Sequence, residues 1–147
     1  MTALTIQDAA RRSGLREPTL RYYEEVGLIG PIARDPSSGH RRYGEEDVDT
    51  LQMLACLRAM GVGIEEMRTY QANRQLGNGK AGEQRDLLLQ HAERVEGEIA
   101  TLRIHLHYLR AKAALWDARH RSDTGAEAEA NGQVQKMLPR LKEVVLR

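Results

Sequence analysis

The sequence is poor in cysteine and contains no long apolar run. Its single cysteine is Cys56, so the chain cannot form an internal disulfide or a metal site built from several thiolates. The N-terminal segment MTALTIQDAARR lacks the apolar stretch of a secretory signal peptide. No segment approaches the roughly 20 apolar residues of a membrane-spanning helix. We therefore expect a cytoplasmic protein with no membrane partner.

An excess of charge of one sign is also missing. The chain carries 22 Lys and Arg against 21 Asp and Glu, which gives a formal net charge of +1. Net charge therefore identifies no partner, and any binding function must be deduced from local patterns. The length of 147 residues suits one small domain plus an extension.

A short helix is predicted in TIQDAARRSG. Thr5 is a suitable N-cap because Asp8 follows it by three residues, and Gly14 is a suitable end. Helical spacing gathers the apolar side chains on one face, opposite two arginines. The residues of this face are Ile6, Ala9, Ala10 and Ser13. We expect that face to be buried.

The next helix is predicted in PTLRYYEEVGLI, from near Glu17 to Gly27. Adjacent residues lie about 100° apart on a helix, so Tyr23 faces the core while Tyr22 and Arg21 point outward. An exposed guanidinium beside a tyrosine hydroxyl suits the recognition of phosphates. The alternative is a solvated helix face whose tyrosine only reaches its hydroxyl into water.

A basic hairpin follows this helix. In PSSGHRRYGEEDV, Pro36, two serines and Gly39 mark a turn between two short extended pieces. The basic residues that flank the turn are Arg34, His40, Arg41 and Arg42. A basic hairpin directly after a helix-turn-helix is typical of a wing, whose side chains reach backbone phosphates or the minor groove.

Three blocks of the sequence resemble the winged-helix DNA-binding domain of the MerR family of bacterial transcription regulators. They are TIQDAARRSGL, TLRYYEEVGLI and SGHRRYGEEDVDTLQMLACLRAMGVGIEEM. The resemblance implies that the second helix enters the major groove of double-stranded promoter DNA. The DNA contacts it implies are first Arg21, Tyr22 and Arg42, and then Thr19, His40 and Arg41. Arg16 departs from the family's usual serine cap, at a cost of about 1 kcal/mol, and His40 replaces the usual wing tyrosine.

A third helix is predicted from about Glu45 to Met60, with an apolar stripe on each of two sides. The stripes are Val48, Leu51, Ala55 and Ala59, and Met53, Cys56, Leu57 and Met60. Such a helix is expected to pack between two bodies. With a short helix in GIEEMRTYQANR it completes a winged-helix domain with a second helix pair in residues 1–75. The segment LGNGKAG, residues 76–82, fits no nucleotide-binding pattern and is expected to be a connector loop.

Residues 83–121 are predicted to form one long helix with a heptad pattern. Its apolar seam consists of Leu88, Ala92, Val95, Ile99, Leu102, Leu106, Leu109, Ala113 and Trp116. A helix of roughly 55 Å cannot hide this seam against a small domain, so it needs a partner helix. The resemblance implies an antiparallel coiled coil in a homodimer, and hence a palindromic DNA site. Residues 122–147 are predicted to be a polar linker and a short C-terminal segment.

Cys56 has two interpretations. In the first, it is a small buried hydrophobic residue. In the second, it receives a signal. The motif CLRAMG and the lack of a cysteine loop resemble the MerR subgroup that responds to aldehydes, other electrophiles or thiol stress through one cysteine. Arg58 would favour the thiolate of Cys56, whereas burial between Met53 and Met60 would oppose it. The alternative is a regulator that senses a non-covalent ligand, with Cys56 purely structural.

Three classes of function fit parts of the sequence. A coiled-coil adaptor explains the heptads and leaves the basic hairpin unexplained. An enzyme would need a base near Cys56, and no histidine lies near it in sequence. His105 and His107 project in different directions from a helix, so no metal or other cofactor is expected. The favoured class is a mainly α, dimeric transcription regulator that distorts its promoter, with RNA polymerase as a partner implied by the resemblance.

Overall fold

A computed structural model describes residues 3–145, and side chains up to residue 143. The fold is mainly α, as predicted, and contains one two-stranded antiparallel hairpin. The chain divides into an N-terminal unit that ends at Leu89 and a C-terminal unit that begins at Gln90. Within residues 3–145, none of the helices combines the length and apolarity needed to cross a bilayer.

Helix α1, Ile6–Ser13, begins and ends as predicted. The Thr5 side chain accepts a hydrogen bond from the backbone N–H of Asp8 at 3.1 Å, and the Asp8 carboxylate accepts one from the N–H of Thr5 at 3.2 Å. This capping box satisfies two donors that the first turn leaves free. Gly14 ends the helix at φ 79°, a conformation that costs glycine little.

Helix α2, Glu17–Glu25, buries Leu20 and Tyr23. Pro18 lies in its first turn, and Arg16 at the N-cap makes no side-chain capping bond, as its side chain lacks an acceptor. The chain then reverses at Gly27, where φ is 74°. This reversal directs the following apolar residues back into the core.

The predicted wing is present as strands β1, Ala33–Arg34, and β2, Arg41–Arg42. Ala33 pairs with Arg42, and Arg34 pairs with Arg41. The base of the wing is attached to the N-terminal segment, since Leu4 and Tyr43 exchange backbone hydrogen bonds of 2.9 and 2.8 Å. Tyr43 is fully buried, so this end of the hairpin is anchored in the core.

Helix α3, Glu45–Ala59, carries one oblique buried band instead of the two predicted stripes. The buried residues are Val48, Leu51, Leu54 and Leu57. Residues three positions apart differ by about 60° in direction around the helix axis. The buried band therefore winds around the helix and takes members from both predicted stripes. Leu57 therefore joins the core, whereas Cys56 and Met60 are exposed. The expectation that Cys56 is buried between Met53 and Met60 was therefore wrong, because its side chain is exposed within its own chain.

One core holds the N-terminal unit together and includes side chains from α1, α2, the wing, α3 and the segment that follows α3. Its members are Ala9, Leu15, Leu20, Tyr23, Leu28, Ile29, Ile32, Tyr43, Val48, Leu51, Leu54, Leu57, Val62 and Met67. Met67 belongs to helix α4, Ile64–Leu76. The predicted connector loop is instead a 3₁₀ turn, Gly77–Lys80, that leads directly into α5.

The C-terminal unit corrects the predicted polar linker. After α5, Ala81–His120, a short turn leads into helix α6, Thr124–Val145. The Asp123 carboxylate accepts a hydrogen bond from the N–H of Ala126 at 3.0 Å and so caps this helix. Polar composition suggested disorder, but Ala and Glu in AEAEA are strong helix formers. The helix also continues through Pro139, although proline in a helix interior removes one backbone hydrogen bond.

Helix α5 has a second apolar stripe that was not predicted. Its members are the half-buried Ile104, Tyr108 and Ala111 and the buried Leu115 and Ala118. On α6, Ala130 and Val134 are buried and share one face. None of these buried residues belongs to the core of the N-terminal unit, so the two helices of the C-terminal unit cover each other. An ion pair of 2.8 Å between Arg119 and Glu127 adds to this hairpin.

Candidate nucleic-acid interface

The outward face of α2 presents the residues that the sequence singled out. Arg21 and Tyr22 are exposed, and Thr19 is half-buried one turn earlier. Tyr23 points the other way into the core, with its ring 6.4 Å from that of Tyr22. Burial raises the pKa of Tyr23, which therefore stays a neutral core residue. Arg21 and Tyr22 are thus open to a ligand, and Thr19 is partly so.

A polar depression of about 330 Å³ lies between the start of α1, helix α2 and the wing. Three residues predicted to bind DNA, Arg21, His40 and Arg41, contribute to its wall. The remaining lining residues are Thr5, Ile6, Gln7, Glu17, Arg34 and Gly39. The structure therefore brings the outward face of α2 and the basic wing together on one surface, as a groove-binding module requires.

Arg42 lies exposed at the end of the wing, beside a carboxylate that shapes the turn. Its Nη1 is 3.9 Å from Oδ2 of Asp35. The other oxygen, Oδ1, accepts hydrogen bonds from the hydroxyl and N–H of Ser37 and from the N–H of Ser38. The hydroxyl of Ser37 and these N–H groups hold the pKa of Asp35 well below its usual range, with a smaller contribution from Arg42. The turn is therefore locally ordered around an ionised Asp35.

Arg41 occupies a different position from its neighbour Arg42. Its Nε donates a hydrogen bond of 2.7 Å to Oε1 of Glu24, a residue of α2. The two side chains are only 22% and 15% exposed, respectively. The sequence pattern did not predict this pair, because the two residues are 17 positions apart and their proximity depends on how the wing folds against α2.

Arg58 extends the basic surface on the other side of α2. It lies in a second depression, of about 400 Å³, together with Pro18, Thr19 and Tyr22. Its Nη1 is 3.5 Å from Oγ1 of Thr19. The sequence pattern did not predict Arg58 as part of the basic surface, only as a neighbour of Cys56. A basic residue near the end of the helix that packs behind α2 is the signal that could have identified it.

The remaining predicted residues lie on helices α3 and α5. Cys56 is exposed on α3. Of the seven predicted dimerisation residues, Val95 is half-buried and six are exposed: Leu88, Ile99, Leu102, Leu106, Leu109 and Trp116. Among the residues that the structure describes, no three His, Cys, Asp or Glu side chains are grouped so that they could hold a metal ion.

Comparison with known proteins identifies the family. The model of the MerR HTH family regulatory proteins matches residues 4–74. A "Heavy metal-dependent transcription regulator 2" of Rhizobium meliloti (strain 1021) is 30% identical over 133 residues, which cover 90% of each chain. The chain belongs to the MerR family. Members of this family are DNA-binding transcription regulators, and this protein is one of them.

Two further MerR-family similarities bear on the interface. The regulator AdhR of Bacillus subtilis (strain 168) is 43% identical over 67 residues, 46% of this chain and 47% of its own. The crystal structure of HiNmlR, described as a MerR family regulator lacking the sensor domain and bound to promoter DNA, has a TM-score of 0.66 and 28% identity. That similarity covers 93% of this chain and 96% of HiNmlR. The HiNmlR structure thus shows a MerR-family regulator with a similar fold on promoter DNA.

Proposed function

We propose that this MerR-family regulator binds a palindromic promoter site as a homodimer and distorts the DNA to control transcription. The observation that carries the proposal is that the chain has two exposed surfaces, each suited to a binding partner. One is the basic surface formed by α2 and the wing, and the other is the exposed apolar seam of α5. The first suits a polyanion, and the second suits another apolar helix.

The DNA face is proposed to contain Arg21, Tyr22 and Arg42 as phosphate contacts. All three side chains are exposed, and each can donate hydrogen bonds to phosphate oxygens. Thr19, His40 and Arg58 lie beside them and would extend the contact surface on either side of α2. Phosphate contacts fix the register of α2 in the major groove, where base edges are read.

The homodimer is proposed to form through the seam of α5. The seam spans Leu88 to Trp116. Apart from the half-buried Val95 its residues are exposed, although the opposite stripe of α5 is covered by α6. A contiguous exposed apolar strip of this length is unusual for a monomer and marks an interface. Two copies of the same strip would bury each other in an antiparallel pair. Such a pair has two-fold symmetry, as a palindromic DNA site does.

The regulatory step is proposed to be a change in DNA shape. Bending and untwisting a promoter costs several kcal/mol by elastic estimates, so a signal of similar size switches the outcome. RNA polymerase is the proposed partner that uses the realigned promoter. A coiled-coil adaptor is a less suitable function, because it would not explain the exposed Arg21 and Tyr22 or the basic wing.

Cys56 is proposed as the residue that receives the signal. It is the only cysteine of the chain and is exposed on α3, next to the exposed Met60. An aldehyde, another electrophile or an oxidant can therefore reach its sulfur. The alternative remains a non-covalent ligand that acts on the same dimer, with Cys56 serving only as a structural residue.

Binding measurements test the DNA face directly. Promoter DNA is titrated with Arg21→Ala, Tyr22→Phe and Arg42→Ala at several salt concentrations. Each variant should bind more weakly, and loss of one arginine contact should reduce the slope of log K against log salt by about 1. Arg121→Ala, which removes an exposed arginine of the C-terminal unit, is the matched control and should bind like the parent. Unchanged affinity of all three interface variants would show that the assigned face is wrong.

A further inference from the structure

Glu24 connects the DNA-facing helix to the wing. Its Oε1 accepts a hydrogen bond of 2.7 Å from Nε of Arg41, in strand β2. Its Oε2 accepts a hydrogen bond of 3.0 Å from the backbone N–H of Ile32, immediately before strand β1. One carboxylate of α2 therefore contacts both sides of the hairpin. Since Ile32 is itself buried in the core, the carboxylate is fixed at both oxygens.

Beyond its anchored base, the wing has few other contacts that fix its orientation relative to α2. Its two strands contain two residues each, and an isolated hairpin of this size is marginal in water. The bridge between Leu4 and Tyr43 holds the base of the hairpin. Beyond that base, the described hydrogen bonds of the turn are internal to the hairpin, from Arg34 to Gly39 and from Ser37 to Asp35. The carboxylate of Glu24 is thus the described link that ties the strands to α2.

We propose that Glu24 is a positioning residue that sets the distance and angle between the wing and α2. Through Arg41 and Ile32 it holds Arg42 at a fixed place relative to Arg21, so that both reach phosphates of the same half-site. This inference rests on the proposed DNA face. Arg41, in turn, acts mainly through Glu24 and not as an independent contact.

The electrostatics of Glu24 agree with such a role. Burial alone would raise its pKa, but hydrogen bonds from Arg41 and from the Ile32 N–H outweigh burial and bring the pKa below its usual value. Glu24 is therefore ionised at neutral pH. Ion pairs that are mostly shielded from water are screened little by salt, so the link persists at the ionic strengths at which DNA binding is measured.

A tethered cleavage experiment measures the position of the wing directly. An iron–EDTA reagent is attached at Ser38→Cys, in the wing turn, in full-length protein that also carries Cys56→Ser. The parent should cut promoter DNA at one narrow set of nucleotides in each half-site. Adding Glu24→Gln should spread the cuts over neighbouring nucleotides at saturating protein and weaken binding by about tenfold, the loss expected for one charged hydrogen bond.

Two comparisons separate positioning from other roles. Glu25→Gln removes the same charge from an exposed neighbour on α2, and it should leave the cleavage pattern sharp. Arg41→Lys keeps the positive charge but loses the directed Nε contact, and it should reproduce the spread pattern of Glu24→Gln. Thermal unfolding of each variant shows that it is folded, and a purely stabilising role would shift only that transition.

The outcomes distinguish this inference from the proposed DNA face. If the parent probe cuts no promoter DNA, the proposed face and the role of Glu24 are both wrong. If the parent cuts sharply and Glu24→Gln cuts at the same nucleotides, only the positioning role is wrong. If Arg41→Lys weakens binding while Glu24→Gln does not, Arg41 is an independent phosphate contact and the inference is overturned.

Discussion

Truncating Leu102 and Leu109 in the seam of α5 should dissociate the proposed homodimer. Their side chains are 63% and 64% exposed in the single chain. Complete burial of a leucine contributes about 1.5–3 kcal/mol, so covering nearly two-thirds of one contributes roughly 1–2 kcal/mol. Each position occurs twice in a dimer, so Leu102→Ala should cost roughly 2–4 kcal/mol. This corresponds to an increase of the dimer Kd by roughly 30- to 1,000-fold.

Sedimentation equilibrium over a wide range of protein concentration measures this constant. The Leu102→Ala/Leu109→Ala double variant should be monomeric at concentrations where the parent is dimeric. Leu115→Ala is the control, because Leu115 is only 5% exposed within its own chain. It should lower the free energy of unfolding by about 2–5 kcal/mol and leave the dimer Kd little changed. A double variant that sediments like the parent would refute the assignment of the seam.

Three further predictions concern other parts of the chain. Ser122 adopts φ 56° in the turn before α6, so Ser122→Gly should raise the thermal midpoint and add about 1 kcal/mol of stability. Because the folded-state pKa of Glu24 is depressed, its stabilisation is present above the unfolded pKa and is lost as the pH falls; the stability gap between the parent and Glu24→Gln should therefore narrow from about pH 6 to pH 3 in denaturant titrations. Cys56→Ser should bind the promoter normally and lose its transcriptional response to electrophiles, and a normal response in a reporter assay would favour the non-covalent alternative.

The local features of the N-terminal unit followed from the sequence because they depend on neighbouring residues. The capping box of Thr5 and Asp8 and the different exposures of Tyr22 and Tyr23 follow from local helix geometry. The strand pair of the wing follows equally from its turn residues. These elements needed no knowledge of tertiary packing.

Features that depend on long-range packing did not follow. The contact of Glu24 with Arg41 requires the wing to fold against α2, and the position of Arg58 beside Thr19 requires α3 to pack behind it. The helix in residues 124–133 was not predicted, because the polar composition of this segment is typical of a linker. The second stripe of α5 was overlooked because its partner, α6, was not expected.

Selection of binding sites from a random DNA library tests the central claim most directly. The full-length chain is used to enrich sequences over several rounds, and the enriched pool is sequenced. The account predicts an inverted repeat with two half-sites, and it predicts that a variant carrying both Arg21→Ala and Arg42→Ala enriches no sequence. Enrichment of a single asymmetric site, or the same inverted repeat with that variant, would contradict a dimer that reads DNA through α2 and the wing.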